Sequence, residues 1–407
     1  MELFTVQTVD EAKKIIDQSF TFSAQREEVD IKYALSRILF SSIIAKENVP
    51  SFRRSTVDGY GLYSKDTFGA SEAIPAILKL VGEVKMGEAS TYRLNRGECV
   101  YVPTGGMLPE GSDCAAMIEH TEKLDQNTIL IANPTPPQKN MVAIGEDIKI
   151  NDLVLKKGRK LKPYDIGMLS SLGIKNVEVC QKIKIGIIST GDEVIDIDEE
   201  ITQGKVRDVN TYLLHSLIIE AGCEPVLYGV IKDDYDLLFQ TVTKGIKECD
   251  LLLISGGSSV GKKDQTVKVI KGQKNSQILT HGLAVKPGKP TIVAKCQDKV
   301  IFGLPGHPLA CAVIFKILVM HCIKRFYDLT EEQYPLNCLC SIDYHKAKGR
   351  EEYLPVTLEV RQNKLYARPL LVKSGLISGF AKAYGYIIIG RNLEGIKAEQ
   401  QVLVYQF

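Results

Sequence analysis

The sequence predicts a multidomain chain of the α/β plus β class, with a central parallel α/β unit and β-rich units on either side. Residues 182 to 326 alternate apolar runs with helical periodicities, as strand–helix–strand units over a parallel sheet do. Residues 75 to 142 break instead at Gly82, Gly87, Gly97, Gly105-Gly106 and Gly111, a turn spacing that suits a small all-β module. At 407 residues the chain also exceeds one hydrophobic core, and its length gives a prior of roughly two to four domains.

Each element follows from local pattern. A first helix is expected from Thr8, whose spacing to Glu11 is that of a capping box ahead of Ala12, Ile15 and Ile16. A second is expected over residues 29 to 44, with Leu35, Ile38 and Leu39 on one face and Pro50 beyond its end. Pro134-Thr-Pro-Pro137 marks the exit from the β module, and residues 140 to 181 read as a mixed connector. In the α/β unit, strands are expected at 182 to 189, 225 to 231, 251 to 254, 291 to 294 and 300 to 303. Helices are expected at 212 to 221, capped by Asn210 and stopped by Gly222, at 235 to 248, and at 309 to 323. Residues 327 to 335 form a polar linker, and the short alternating runs beyond it suit a small β-barrel or sandwich.

Composition narrows the function classes. With 51 basic and 49 acidic residues the net charge is +2, which gives no global field for nucleic acid or an anionic membrane. The ten cysteines lack any C-x-x-C spacing and read as free core thiols of a reduced compartment. Residues 309 to 323 are interrupted by Lys316 and too short to span a bilayer, and no signal-like segment opens the chain, so a cytoplasmic location is expected.

The chemistry gathers at expected strand ends. Residues 251 to 254 run into Ser255-Gly-Gly-Ser-Ser-Val-Gly261, where Gly256, Gly257 and Gly261 free the backbone for close ligand approach. Gly256 to Lys262 also matches seven positions of the phosphate-cradling pattern G-x-x-x-x-G-K-[ST], but Lys263 stands where the magnesium-binding hydroxyl belongs. Carboxylates mark the strand ends: Glu193, the pair Asp233 and Asp234, and Asp264. Hard oxygen ligands of this kind are what magnesium uses beside a phosphorylated substrate. Lys286 and Lys289 sit in a Pro-Gly frame that would hold their ammonium groups toward an oxyanion. Together these groups describe a phosphate ester handled with a metal. Taken singly, each carboxylate is more often a helix cap or turn residue than a ligand.

Seven segments in order carry a resemblance. They are Ser55-Thr-Val-Asp-Gly-Tyr60, Pro103-Thr-Gly-Gly through Pro109-Glu-Gly111, Gly145-Glu-Asp147, Ser189-Thr-Gly-Asp-Glu193, Ser255 to Gly261 with Asp264, Lys286-Pro-Gly-Lys-Pro290 and Gly303-Leu-Pro-Gly-His-Pro308. Across nearly the whole chain the sequence resembles the molybdopterin molybdenumtransferase family, the MoeA type, which includes the E domain of gephyrin. The resemblance implies an elongated homodimer with four parts per protomer. These are a connector from residues 1–50 and 140–181, an inserted β-rich domain 51–139, a MogA-like α/β molybdopterin-binding domain 182–330 and a C-terminal β-barrel 331–407.

The resemblance also implies a reaction: adenylated molybdopterin is hydrolysed with magnesium or a similar divalent cation, molybdate enters the dithiolene, and AMP leaves. Its functional acids and hydroxyl fall on Asp58, Thr104, Glu193, Asp233 or Asp234, and Asp264, with Glu193, Asp233 and Asp264 as metal ligands. Substrate-binding positions fall on Thr190, Gly191, Ser255, Gly256, Gly257, Ser258, Ser259, Gly261, Lys286, Gly288, Lys289, Pro305, Gly306 and Pro308. Arg350 and Ser378 correspond to oxyanion-binding positions. Asp58 and Thr104 would serve the partner subunit's site, and the molybdopterin adenylyltransferase is the expected upstream partner.

The chain departs from the family pattern at His307, where Asn is commoner, and at Arg53-Arg54-Ser-Thr-Val57, where an Asn-Ser-Ala-Met run is commoner. Molybdate and tungstate both stay open as the oxyanion. Two other readings compete: a P-loop nucleoside triphosphatase, which needs a hydroxyl at position 263, and a non-catalytic pterin-binding scaffold, which has no need of the acids.

Overall fold

Four of the apolar runs become neighbouring strands, and their order fixes where the chemistry lies. The computed structural model describes residues 6–256, 265–329, 334–371, 373 and 375–407. Glu224–Ile231, Lys184–Thr190, Leu251–Ser255 and Lys299–Leu304 lie side by side and parallel. Ile292–Cys296 and Ser276–His281 extend the sheet as antiparallel strands. Alternate residues of Leu251–Ser255 serve two cores. Leu251 and Leu253 pack with Leu214, Ile218 and Val313, while Leu252 and Ile254 pack with Leu238, Val242 and Val269. A strand covered on both faces has to be apolar throughout, which is why this run shows no alternation. The register sets Ser189 against Ser255 and Ser255 against Leu304, so their carboxyl ends share one edge.

The N-terminal reading holds in part. Helix Val9–Ser19 forms with its capping box, and Val9, Ala12 and Ile16 join the core beneath the sheet. The helix expected over residues 29 to 44 is not formed. Arg26–Asp30 pairs antiparallel with Asn176–Cys180, and Ile43–Ile44 pairs with Leu153–Leu155. Asp30 caps a single 3-10 turn at Ile31–Tyr33, and Ser36 at φ 62° stops propagation. Leu39 is buried because it bridges Val179, a partner 140 residues away in sequence that local periodicity cannot reveal.

Two other six-stranded sheets lie in the inserted and C-terminal regions. In the inserted region the order is Cys114–Met117, Gly59–Leu62, Glu98–Val102, Ala76–Glu83, Thr128–Ile131, Thr121–Lys123. In the C-terminal region, Glu351–Arg361, Lys364–Pro369, Leu336–Cys340, Gln401–Gln406 and Gly385–Ile389 close a five-stranded barrel, the last strand pairing back with the first. Closure leaves no free edge among these strands. All ten cysteines are free and buried, and burial pushes the Cys99 thiol up to about 12, so these thiols behave as core residues. No helix among the described residues is long and apolar enough to cross a membrane.

Candidate active site

The barrel faces the carboxyl edge of the α/β sheet, and a cavity of about 890 Å³ separates them, within the size range of small-molecule sites. Strand-end residues Thr190, Ser255 and Gly256 line its sheet side. Lys286, Gly288 and Lys289 come from one loop and Pro305, Gly306 and Pro308 from another, while Arg350 reaches it from the barrel. Five basic residues line it against three carboxylates, so its local charge favours an anion although the whole chain is nearly neutral.

Backbone contact shapes the floor. Gly256 adopts φ 103°, and a Cβ there would lie 2.0 Å from the Thr190 carbonyl oxygen, so no other residue fits without movement. Asn210 holds the neighbouring loop. Its Nδ2 donates to Ser255 Oγ at 2.7 Å and to Gly306 O at 2.9 Å. The expected role of Asn210 as a cap is therefore corrected. Helix Asn210–Glu220 already includes it, and Asp208 Oδ1 accepts from Thr211 N at 3.0 Å instead. The backbone carbonyl of Gly306 can only accept, which fixes the amide orientation.

The acids separate by role. Glu193 lines the cavity and folds its carboxylate over Gly191, where a Cβ would meet both carboxylate oxygens at 3.0 Å. Asp233 Oδ1 accepts from Thr190 Oγ1 at 2.9 Å, which ties it to the strand end. Asp234 caps helix Tyr235–Glu248 by accepting from Leu237 N at 2.9 Å, so its carboxylate is committed to the helix. Asp264 lies outside the described residues, as do Gly257, Ser258, Ser259, Gly261, Lys262 and Lys263. Among the described residues no group of three potential ligands is arranged around one point.

The basic groups are partnered across the two units. Lys286 Nζ meets Glu352 Oε1 at 2.9 Å, and Val285–Lys286 pairs in parallel with the start of Glu351–Arg361. Ser378 lies on the exposed turn Ile377–Phe380 and does not line the cavity; Lys373 and Gly375 of the same loop do.

Comparison with known proteins gives the family of the chain. Residues 7–173 match the MoeA N-terminal region (domains I and II), 186–325 a probable molybdopterin binding domain and 338–407 the MoeA C-terminal region (domain IV). The molybdopterin molybdenumtransferase of Bacillus subtilis is 30% identical over 99% of this chain and 95% of its own. The chain belongs to the molybdopterin molybdenumtransferase (MoeA) family. A crystal structure of the molybdopterin biosynthesis MoeA protein from Pyrococcus horikoshii matches with TM-score 0.87 at 29% identity, over 99% of this chain and 100% of that one. Another structure of a Pyrococcus MoeA protein matches with TM-score 0.84 at 34% identity, over 99% of each. Membership in the MoeA family favours molybdenum cofactor biosynthesis over the nucleoside triphosphatase reading of residues 256 to 262.

Asp58 and Thr104 of this MoeA-family chain meet each other rather than the cavity. Thr104 N donates to Asp58 Oδ1 at 2.8 Å, and its hydroxyl reaches the same oxygen at 3.2 Å. The pairing of Gly59 with Val102 brings the two loops together. Arg53, one of the departures from the family pattern, donates to the carbonyls of Ser112 at 2.7 Å and Pro109 at 3.3 Å, so it braces the turn beside Thr104. Sequence reasoning missed Asn210 and Glu352. Asn210 looked like a cap by position, and Glu352 carried no motif that singled it out. What marks Glu352 is its own burial against a cation, Lys286, that lies 66 residues upstream.

Proposed function

We propose that this chain inserts molybdate into adenylated molybdopterin and releases AMP, as a step of molybdenum cofactor biosynthesis. The observation that carries the reading is the cation-rich cavity between the strand-end acids and the barrel. It joins groups suited to a phosphoanhydride with groups suited to a tetrahedral oxyanion. Lys286, Lys289 and Arg350 would hold the oxyanion or the pterin phosphate by charge and hydrogen bonds. The backbone at Gly256 and Gly306 gives close approach without a side chain in the way.

Glu193 and Asp233 offer hard carboxylate oxygens around Thr190, which fits one or two protein ligands to a magnesium ion, with Asp264 as the third acid. When bound, such a cation lowers the charge on the phosphoanhydride. Asp234 is left out of this set because it caps its helix. Asp58 and Thr104 would complete the site of the partner subunit in a homodimer, a reading that gives their exposed pair a purpose. We divide the protomer into a connector of 1–50 and 140–181, an inserted domain of 51–139, an α/β domain of 182–330 and a barrel of 331–407. The working location is the cytoplasm, with the molybdopterin adenylyltransferase as supplier of substrate.

The test is direct. Purified chain is incubated with adenylated molybdopterin, molybdate and magnesium, and AMP and cofactor are quantified. Stoichiometric AMP release that is lost in Glu193→Gln supports the reading. A folded dimer that binds the pterin but releases no AMP would favour the non-catalytic scaffold.

A further inference from the structure

Glu352 is a charged residue in an unusual position. It is 4% exposed, yet it belongs to the wall of the cavity that carries Lys286 and Arg350. Its Oε1 accepts from Tyr344 OH at 2.6 Å and meets Lys286 Nζ at 2.9 Å. Burial, reinforced by the carboxylate, pushes the Tyr344 phenol well above its ordinary range, so it stays a donor. Lys286 is the more exposed partner: its side chain is 56% exposed against 6% for Glu352. The backbone fixes their meeting, since Lys286 stands opposite Glu352 in the ladder joining the two units and Glu351 N donates to Ala284 O at 2.8 Å.

A buried carboxylate is costly without a cation. Among the described residues, the ion pair of Glu352 is with Lys286 alone. An oxyanion that draws the ammonium to itself therefore strips the carboxylate of its counter-charge and leaves it the single Tyr344 hydrogen bond. We propose that Glu352 is an internal competitor for Lys286, a residue that weakens oxyanion capture so that the cavity hands its oxyanion on rather than retaining it. The inference rests on the reading of this cavity as an oxyanion site. The residue acts through Lys286 and is a positioning residue, not a catalytic one. Glutamine preserves the shape and can still accept from Tyr344 OH, so Glu352→Gln isolates the charge.

Equilibrium dialysis of the purified full chain with molybdate alone, and separately with sulfate, reads the effect. Freeing the Lys286 ammonium from its competing carboxylate is expected to tighten both dissociation constants by about tenfold or more. The gain should vanish when Lys286→Met is added, because the competition is for that ammonium. Tyr344→Phe should move the other way and weaken molybdate several-fold, since Glu352 then depends more on Lys286; it also keeps the test decisive if Glu352→Gln fails to fold. Unchanged or weaker binding in Glu352→Gln, or tighter binding in Tyr344→Phe, would overturn the inference while leaving the functional reading standing. Absence of saturable binding in both the parent and Glu352→Gln overturns it as well, and the functional reading is then judged separately by AMP release.

Discussion

Asn210 and Ser255 are joined side chain to side chain at 2.7 Å, across 45 residues of sequence. The same amide reaches Gly306 O at 2.9 Å, so one residue at a helix start fixes two loops of the cavity. Its Oδ1 is buried with no partner among the described residues. Buried polar groups left unpaired cost about 1–3 kcal/mol each. Asn210→Ala would orphan the Gly306 carbonyl and release both loops. We expect a stability loss of about 1–3 kcal/mol by chemical denaturation, together with at least a tenfold drop in kcat/KM for AMP release. Retention of both values within twofold would remove Asn210 from the site.

Two glycines of the same floor should respond differently to alanine. At Gly256 the new Cβ lies 2.0 Å from the Thr190 carbonyl oxygen at φ 103°. Strain and displacement there should cost about 2–4 kcal/mol, visible as a fall in melting temperature. At Gly306 the nearest atom is Gly256 Cα at 4.0 Å, so the methyl group fits but enters the cavity. Gly306→Ala should melt like the parent and raise KM. Equal melting temperatures for the two variants would contradict this account of the floor.

The contrast between these residues and the misread segment says what sequence can disclose. The run Leu251–Ser255 was legible because both its faces are buried and its composition alone says so. That Asp233 lies beside the end of Lys184–Thr190 could be anticipated because a parallel sheet brings such ends to one edge whatever its partners are. Residues 29 to 44 were not legible, since their partners Asn176–Cys180 and Leu153–Leu155 lie more than a hundred residues away and outcompete a plausible local helix. Glu352 was hidden for the same reason. Its chemistry comes from burial beside Lys286, and burial is a property of the assembled units.

The Asp58–Thr104 pair tests whether sites are shared between subunits. Asp58→Asn and Glu193→Gln should each abolish AMP release while leaving the melting temperature near that of the parent, because both carboxylates are exposed. If Asp58 serves the partner subunit, exchange of the two variants creates hybrid dimers with one fully intact site. Random mixing in equal amounts should then restore about a quarter of parental turnover, half the dimers carrying one site of two. A site confined to one subunit has no intact copy in any mixture, so turnover that stays at zero after demonstrated exchange would reject the shared arrangement.

The connector supplies a pH prediction through Asp165. Burial favours its neutral form, but a bidentate Arg159 guanidinium at 2.9 Å and the Lys162 N–H at 2.9 Å outweigh it and hold the carboxyl below its ordinary value of 3.8. Asp165 is 3% exposed and sits in the first turn of helix Pro163–Ser171, where negative charge also meets the favourable end of the helix dipole. Because the folded pKa is depressed, the unfolded chain binds more protons in the interval between the two values. The stabilisation is therefore complete above the unfolded value and is lost as pH falls through the folded one. The Arg159 side chain is 42% exposed, so solvent screens part of the pair. Asp165→Asn should lower stability at neutral pH by about 1–3 kcal/mol, as loss of a charged hydrogen-bond partner does. The difference from the parent should persist down to pH 4 and close only below the ordinary carboxylate value of 3.8. Urea midpoints for both proteins across pH 2 to 7 would follow it, and a difference that closed near neutrality would assign the effect to another group.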